Sequence, residues 1–306
     1  MRIVTSLMGL LPIWAAAIQA CHSDSAANRS TSSLQETRPH VPPSMAFGEN
    51  RSQKKDPIPR NRTRIQRVID GDPSVIVLPD DAYPSGPRPA VLFLHGHGMD
   101  EHQMLNRTTL AHRVTEEGWL AAAGLAGSRT HWGNEGALRA TAALIKTLIH
   151  DYQADPRHIY LVGFSMGGGT ALLTAANPLG LPYQITAVAS SQGYSDLRAM
   201  YGNPSYASSI RHSFGRSPTA PDLALRSPLS LAEKLRGTAL YLEHGESDTA
   251  VPVFHTQQLQ SQLERFGIPV ETHYYPHGTH HEDTIDETAI LRFFQRVYTR
   301  QGGGNL

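Results

Sequence analysis

A serine set between glycines carries the clearest chemical signal in this sequence. Ser165 is flanked by Gly163 and Gly167, follows the short apolar run 159–162 and precedes a helical pattern. A strand that turns sharply into a helix exposes the hydroxyl at the turn, and side chains larger than glycine would collide at the two flanking positions. The pattern therefore predicts a nucleophilic Ser165. The alternative is a glycine-rich turn that packs a helix on a sheet without chemistry.

A serine hydroxyl attacks poorly until a base removes its proton, and the base needs a carboxylate that fixes its tautomer. Asp248 follows the strand pattern 239–242, and a histidine pair follows the last strand pattern, 270–275. Because the carboxyl ends of parallel strands collect active groups at one edge of a sheet, we expect these loops to meet. The alternative for Asp248 is a turn or cap residue ahead of the helical pattern 253–266.

Two adjacent histidines leave the identity of the base open. We favour His281, which lies three residues after Gly278, because this spacing would place its ring on the site side of the turn. His280 is the alternative. We expect His273 and His277 to be solvated or to pack against neighbours.

The negative charge that develops on a substrate carbonyl needs preorganised N–H donors. One predicted donor is the backbone amide of Met166, at the start of the helix that follows the serine. The second is the amide of His97, in the His-Gly-His-Gly turn after the strand pattern 90–94. We expect the side chains of His95 and His97 to be structural or to shape the pocket, and not to act as bases.

The elements that must position these groups alternate along the chain. Strand patterns cover residues 67–70, 74–78, 90–94, 120–123, 159–162, 185–189, 239–242 and 270–275. Helical patterns cover residues 103–117, 137–152, 166–176, 253–266 and 284–299. This alternation predicts an α/β fold, a mostly parallel central sheet with helices on both faces. The segment 193–232 is expected to be an irregular insertion, either a small cap whose aromatic residues bind an acyl or aryl group or a loop packed at the sheet edge.

Composition excludes several classes of function. The chain has 306 residues, with 27 basic and 27 acidic side chains, so there is no basic excess for nucleic acid. A single cysteine excludes an internal disulfide framework and a cysteine-based metal site, and the sixteen histidines show no metal-binding motif. These features argue against a zinc enzyme.

The sequence of residues 1–64 predicts an export signal followed by a linker. Residues 1–21 have a signal-peptide layout that ends in the only cysteine, Cys21, as in a bacterial lipoprotein; ordinary secretion and an uncleaved anchor are alternatives. Residues 22–64 are polar and predict a disordered linker. We expect a catalytic domain over 65–300 and a flexible tail over 301–306.

These residues resemble the α/β-hydrolase superfamily, and more narrowly the catalytic domain of the prolyl oligopeptidase family and dienelactone-hydrolase-like esterases. The matching segments are 163–168, 226–229, 244–252 and 275–276. The resemblance implies a triad of Ser165, Asp248 and a histidine of the last loop, with no metal and no organic cofactor.

Two departures bear on the substrate. The residues before Ile65 are too few and too polar for the β-propeller of the oligopeptidases, and the His-Gly-His-Gly turn is more similar to that of esterases. We therefore expect a serine hydrolase of carboxylic esters, with a serine peptidase acting on short peptides as the alternative and a catalytically silent binding protein as the third possibility. Its partner would be a small ester or peptide and not a nucleic acid. It would be exported to the cell envelope, with Cys21 as a possible membrane tether.

Overall fold

A computed structural model of the protein describes residues 63–80, 86–177, 179–180 and 184–303. The expected signal segment 1–21 with its Cys21, nearly all of the linker 22–64 and the end of the tail 301–306 lie outside these residues. The described residues belong to one compact unit. The domain boundaries drawn from the sequence stay predictions.

A single sheet forms the centre of the described region. Its strands in chain order are Arg64–Ile69 (β1), Asp72–Val77 (β2), Arg88–Leu94 (β3), Leu120–Gly124 (β4), Ala154–Phe164 (β5), Ala187–Ser191 (β6), Ala239–Gly245 (β7) and Glu271–Tyr275 (β8). In space the order is β1-β2-β4-β3-β5-β6-β7-β8. β1 and β2 form an antiparallel hairpin and β2 runs antiparallel to β4, whereas the other neighbouring pairs are parallel. The predicted α/β class with a mostly parallel sheet is confirmed.

Helices cover both faces of this sheet. In the described residues the α-helices are Gln103–Arg107 (α1), Leu110–Glu116 (α2), Glu135–Tyr152 (α3), Met166–Ala176 (α4), Leu197–Gly202 (α5), Pro204–Phe214 (α6), Ala220–Leu225 (α7), Phe254–Arg265 (α8) and Glu287–Arg300 (α9). Short 3-10 helices span Pro228–Leu235 and Glu282–Thr284. Alternating residues of β3 show how the layers form, because Val91 and Phe93 belong to one core cluster and Leu92 and Leu94 to the other.

Two predicted helices differ from the structure. The pattern 103–117 was expected to be one helix, but the chain is extended at Thr108, with φ −124° and ψ 158°. The next amide, that of Thr109, donates to the carboxylate of Glu287 at 3.0 Å, so a partner far along the chain replaces an intrahelical acceptor. The last helix begins at Glu287 rather than at residue 284, because Asp286 caps it by accepting from the amide of Ala289.

The insertion 193–232 was expected to be irregular, and this prediction is wrong. Three short α-helices, α5 to α7, occupy most of it, and each begins at a side chain that accepts from the first turn: Asp196, Asn203 and Thr219. Such capping residues resemble a turn composition when read along the sequence, which explains the error. We call α5 to α7 the cap; its apolar residues pack with Trp132 and Met166 in a third core cluster.

Candidate active site

Ser165 lies at the turn between β5 and α4. Its backbone has φ 57° and ψ −121°, a conformation that L-residues rarely adopt, and its amide donates to Ser191 O at 3.0 Å. A Cβ placed on Gly163 would lie 2.2 Å from Gly167 O, and one placed on Gly167 would lie 2.1 Å from Leu94 O. Both flanking positions therefore require glycine, as the sequence pattern predicts for this kind of turn.

Asp248 lies in the loop after β7 and is buried. One oxygen, Oδ1, accepts from the amides of Ala250 and Val251, both at 2.9 Å. The other oxygen, Oδ2, lies 3.4 Å from His244 Nε2 and 2.6 Å from His280 Nδ1. Burial alone would raise the pKa of Asp248, but the hydrogen bonds from His244 and His280 outweigh burial and hold that pKa below its ordinary value. The group is thus an ionised carboxylate facing an imidazole.

His280 connects the acid to the serine. Its Nδ1 lies 2.6 Å from Asp248 Oδ2 and its Nε2 lies 2.8 Å from Ser165 Oγ. Since a carboxylate only accepts, Nδ1 carries the proton and Nε2 is left to accept from the serine hydroxyl. The ring packs on Phe164, with the two ring centres 4.9 Å apart. This is the geometry in which a histidine can act as a general base toward a serine.

The preferred base in the sequence analysis, His281, is replaced by its alternative, His280. The His281 side chain is 57% exposed, and its Nδ1 accepts from the amide of Asp283 at 3.2 Å, so the ring turns away from the serine. The chain bends at this pair, and the amide of His281 donates back to Thr279 O at 2.9 Å. In this bend His280 faces Ser165 and His281 does not, and the spacing from Gly278 alone does not decide between them.

The two residues predicted to donate to an oxyanion belong to segments close to the serine: Met166 follows it, and a Cβ on Gly96, next to His97, would lie 3.6 Å from Phe164 O. Met166 is the first residue of α4, where backbone amides have no intrahelical acceptor. His97 follows β3, and its Nε2 lies 3.1 Å from Ser209 Oγ of the cap. Burial, and then the charge of His95, lowers the pKa of the His97 imidazole, which favours the neutral ring. The oxyanion roles of the Met166 and His97 amides stay predictions.

An aromatic cluster lies next to this turn. Trp132 packs edge-on against Tyr206 with ring centres 5.3 Å apart, and His97 lies 5.5 Å from Tyr206. The indole N–H of Trp132 donates to the same Ser209 Oγ that contacts His97. The sequence left substrate binding and packing open for the aromatic residues of the insertion 193–232, and the structure shows packing contacts of Tyr206 with Trp132 and His97.

Sequence reasoning missed three polar residues around the site. His244 contacts the acid, while the buried Gln192 and Glu243 lie beneath the loop that carries His280. One signal was available: Glu243 is a charged residue directly after the apolar strand pattern 239–242, an unusual position for a buried side chain unless it has partners. The contacts of Gln192 could not be read from spacing, because its partners lie about ninety residues further along the chain.

The described residues contain no group of three His, Cys, Asp or Glu side chains arranged to hold a metal ion. In the same part of the chain, no helix has both the length and the apolar character needed to span a membrane.

A family comparison decides the relationship of the chain. The sequence model of the prolyl oligopeptidase family (Peptidase_S9) matches residues 128–300, which is more than half of the sequence and includes the serine, acid and histidine segments. The chain belongs to the prolyl oligopeptidase family. This membership confirms the resemblance seen in the sequence, and with it the expectation of a serine hydrolase.

Individual relatives agree with this assignment. A Bacillus subtilis (strain 168) protein described as uncharacterized peptidase YtmA is 29% identical over 137 residues, covering 44% of this chain and 52% of the relative. A puromycin-hydrolyzing peptidase of Mycobacterium tuberculosis superposes with a TM-score of 0.62 at 21% identity, over 76% of this chain and 38% of that one. Dipeptidyl peptidase 4 of Porphyromonas gingivalis superposes with a TM-score of 0.61 at 19% identity, over 78% of this chain and 35% of that one.

The extent of these matches limits what they show. The chain spans about half of the curated relative and less than two fifths of these two solved chains. At these identities the structural likeness establishes the fold, and substrates do not transfer with it.

Proposed function

We propose that the protein is a serine peptidase that cleaves short peptides through an acyl-enzyme. The observation that carries this proposal is the position of His280, hydrogen-bonded to Ser165 Oγ on one side and to Asp248 on the other. The family match and the peptidase descriptions of its relatives support a peptide substrate over the carboxylic ester expected from the sequence.

The geometry gives each residue a role. Ser165 Oγ attacks the scissile carbonyl while His280 Nε2 takes its proton, and Asp248 stabilises the imidazolium through Nδ1–H. The amides of Met166 and His97 would donate hydrogen bonds to the carbonyl oxygen as its negative charge develops. His280 then gives its proton to the leaving amine. During deacylation it takes a proton from the water that hydrolyses the acyl-enzyme.

A substrate panel tests the reaction and its specificity together. Wild type and Ser165→Ala would be compared on aminoacyl p-nitroanilides, short peptides, puromycin and short p-nitrophenyl esters. We expect Ser165-dependent cleavage of the amides and of the more reactive esters. Turnover of esters without turnover of amides or peptides would favour the ester hydrolase expected from the sequence over the peptidase. Absence of both turnover and labelling by a fluorophosphonate probe, which reacts with activated serines, would contradict enzymatic function and favour a silent binding protein.

We also propose that the protein is exported and that Cys21 carries a lipid that tethers it to a cell-envelope membrane. The support is the layout of residues 1–21, where an apolar stretch ends in the only cysteine of the chain. Expression of the full chain in a bacterial host, followed by fractionation, tests this proposal. Wild type should be in the membrane fraction and Cys21→Ser in the soluble envelope fraction. Equal distribution of the two would contradict lipidation.

A further inference from the structure

The loop that carries His280 is tied down by two buried polar side chains. We call residues 276–286, between β8 and α9, the histidine loop. Gln192 follows β6 and is buried; its Nε2 donates to Thr284 Oγ1 and, at 3.4 Å, to His281 O. Glu243, in β7, is completely buried. Two of its contacts, Tyr275 and Asp286, lie at the two ends of the loop.

Three donors converge on a single oxygen of Glu243. Its Oε2 accepts from Tyr241 Oη at 3.1 Å, from Tyr275 Oη at 3.4 Å and from the Asp286 amide at 3.2 Å. Tyr275 is the last residue of β8, and Asp286 is the residue that caps α9. One carboxylate therefore holds the residue where the chain enters the histidine loop and the residue where the loop ends.

A purely structural explanation does not account for a carboxylate at this place. Among the described residues no ion pair compensates Glu243, and Asp286 faces it with a like charge. Burial raises the pKa of Glu243 to about 7, against the lowering effects of the Ser191 hydroxyl, the Asp286 amide and Tyr241. An apolar side chain would fill a strand interior at lower cost. The carboxylate is best explained by what its hydrogen bonds position.

We propose that Glu243 is a positioning residue for His280: by binding Tyr275 and the Asp286 amide, it fixes both ends of the histidine loop and so keeps the imidazole between Ser165 and Asp248. The inference rests on the proposed function and adds a residue outside the triad. The Gln192 side chain binds the same loop further along, at the backbone carbonyl of His281 and the hydroxyl of Thr284.

Protonation of Glu243 would weaken this arrangement. Tyr275 Oη lies 3.5 Å from Asp286 Oδ2, so its hydroxyl has a second acceptor close at hand when the Glu243 carboxylate is neutralised. The other titratable groups that contact Glu243 are Tyr241 on the same strand and Asp286 at the start of α9. The loop geometry should therefore depend on pH near neutrality, in addition to the ionisation of the base itself.

The test compares Glu243→Gln with Glu271→Gln, a matched control on the edge strand whose carboxylate pairs with Arg296. On a substrate that the wild type turns over, we expect Glu243→Gln to lower kcat by about tenfold to a hundredfold, since small displacements of a reacting group have effects of that order. KM should change less than about twofold because the substrate contacts are not altered. The acid limb of the wild-type pH profile should be steeper than that of Glu243→Gln, which has one ionisation fewer.

Two further measurements keep the outcome decisive. Tyr275→Phe removes one of the donors, so the double variant with Glu243→Gln should be little worse than Glu243→Gln alone. The far-downfield proton signal of His280 Nδ1–H, bonded to Asp248, should weaken or broaden in Glu243→Gln at pH 8 and persist in Glu271→Gln. Unchanged kcat, pH profile and proton signal in folded Glu243→Gln would overturn the proposal, as would a loss explained by its unfolded fraction.

Failure of the proposed function is distinguishable from failure of this inference. If wild type neither turns over substrates nor reacts with a fluorophosphonate, the peptidase assignment fails. The proton signal of His280 still decides in that case whether Glu243 positions the ring. If wild type is active and Glu243→Gln behaves like Glu271→Gln in every readout, only the positioning role is lost.

Discussion

The two halves of the proposed triad, Ser165 on one side and His280 on the other, are held by different kinds of contact. On the serine side, backbone lies against backbone: a Cβ on Gly163 or Gly167 would come within 2.2 Å or 2.1 Å of a carbonyl oxygen. On the histidine side, the loop is held by side-chain hydrogen bonds from Gln192 and Glu243 and by an ion pair between Glu282 and Arg107 at 2.6 Å. The serine is thus fixed by steric exclusion, and the histidine by polar contacts.

This difference matters for how each half responds to change. Where backbone lies against backbone, an added side chain cannot be accommodated by a small shift, because a clash of this size must displace the chain. Polar contacts can be lost one at a time, and a carboxylate contact also depends on protonation. We therefore expect the serine half to fail as a unit and the histidine half to weaken in steps. Four substitutions examine this expectation.

The largest effect should distinguish the two adjacent histidines. His280→Ala removes the group that contacts both Ser165 and Asp248, so kcat/KM should fall by about 10⁴ or more. His281→Ala should stay within roughly threefold, because its exposed ring contacts Asp283 and neither Ser165 nor Asp248, and the substitution keeps the backbone carbonyl that Gln192 binds. The measurement is steady-state kinetics of both variants, with folding checked by circular dichroism. A larger loss in His281→Ala than in His280→Ala would contradict the assignment of the base.

The serine half is tested by Gly167→Ala. The added methyl would meet Leu94 O, so the free energy of unfolding should fall by more than about 3 kcal/mol, or the protein should not fold. Gly202→Ala is the control, since a Cβ there meets nothing within 4 Å, and it should change stability by less than about 0.5 kcal/mol. Urea unfolding measures both. Equal stability of the two variants would show that the turn accommodates a side chain.

The same contrast explains what the sequence revealed. The serine turn is encoded locally, by glycines at fixed offsets from Ser165, and its place between a strand and a helix follows from hydrophobic patterning. The orientation of the histidine pair depends on contacts of the loop with Gln192, Glu243 and Arg107, which are distant in sequence. Spacing from Gly278 cannot report such contacts, so the sequence located the pair and misassigned the ring that faces the serine.

The fold shows a similar division. The positions of the strands and the mostly parallel sheet follow from the alternation of elements, which hydrophobic periodicity makes visible. The break at Thr108 and the helices of the cap depend on individual hydrogen bonds, such as those of Glu287 with Thr109 and of Asn203 with the Ser205 amide. Interactions made by single polar side chains were the part that sequence patterns missed.

Glu243 gives the histidine half a stability that depends on pH. Burial raises its pKa from 4.5 to about 7, so between these values the unfolded chain ionises while the folded protein keeps the proton. Stability is therefore lost as pH rises through this window, by roughly 3 kcal/mol in total, because each pKa unit is worth about 1.4 kcal/mol. Because glutamine does not ionise, the free energy of unfolding of Glu243→Gln minus that of wild type should increase between pH 5 and pH 8. Urea unfolding at several pH values measures this difference.

Glu271→Gln is a control of opposite sign for this measurement. Burial would raise the pKa of Glu271, but the hydrogen bonds from His273 and Arg296 outweigh burial and lower that pKa. The ionised carboxylate therefore stabilises the folded protein at pH values above the pKa of Glu271 in the unfolded chain. That variant should lose stability relative to wild type as pH rises from the acid range toward neutrality. Parallel pH profiles for Glu243→Gln and wild type would contradict the raised pKa of Glu243.

The smallest effect should come from the contact between the cap and the serine half. Ser209 Oγ lies 3.1 Å from His97 Nε2 and accepts from Trp132 Nε1 at 3.0 Å, so it ties the predicted oxyanion turn to α6. Ser209→Ala should cost about 1 kcal/mol in stability, the typical net value of a hydrogen bond, and lower kcat/KM by less than about tenfold. Ser208→Ala, at an exposed position of the same helix, should change neither. Because backbone packing and not this contact fixes the serine half, a loss in Ser209→Ala as large as that of His280→Ala would break the distinction between the two halves.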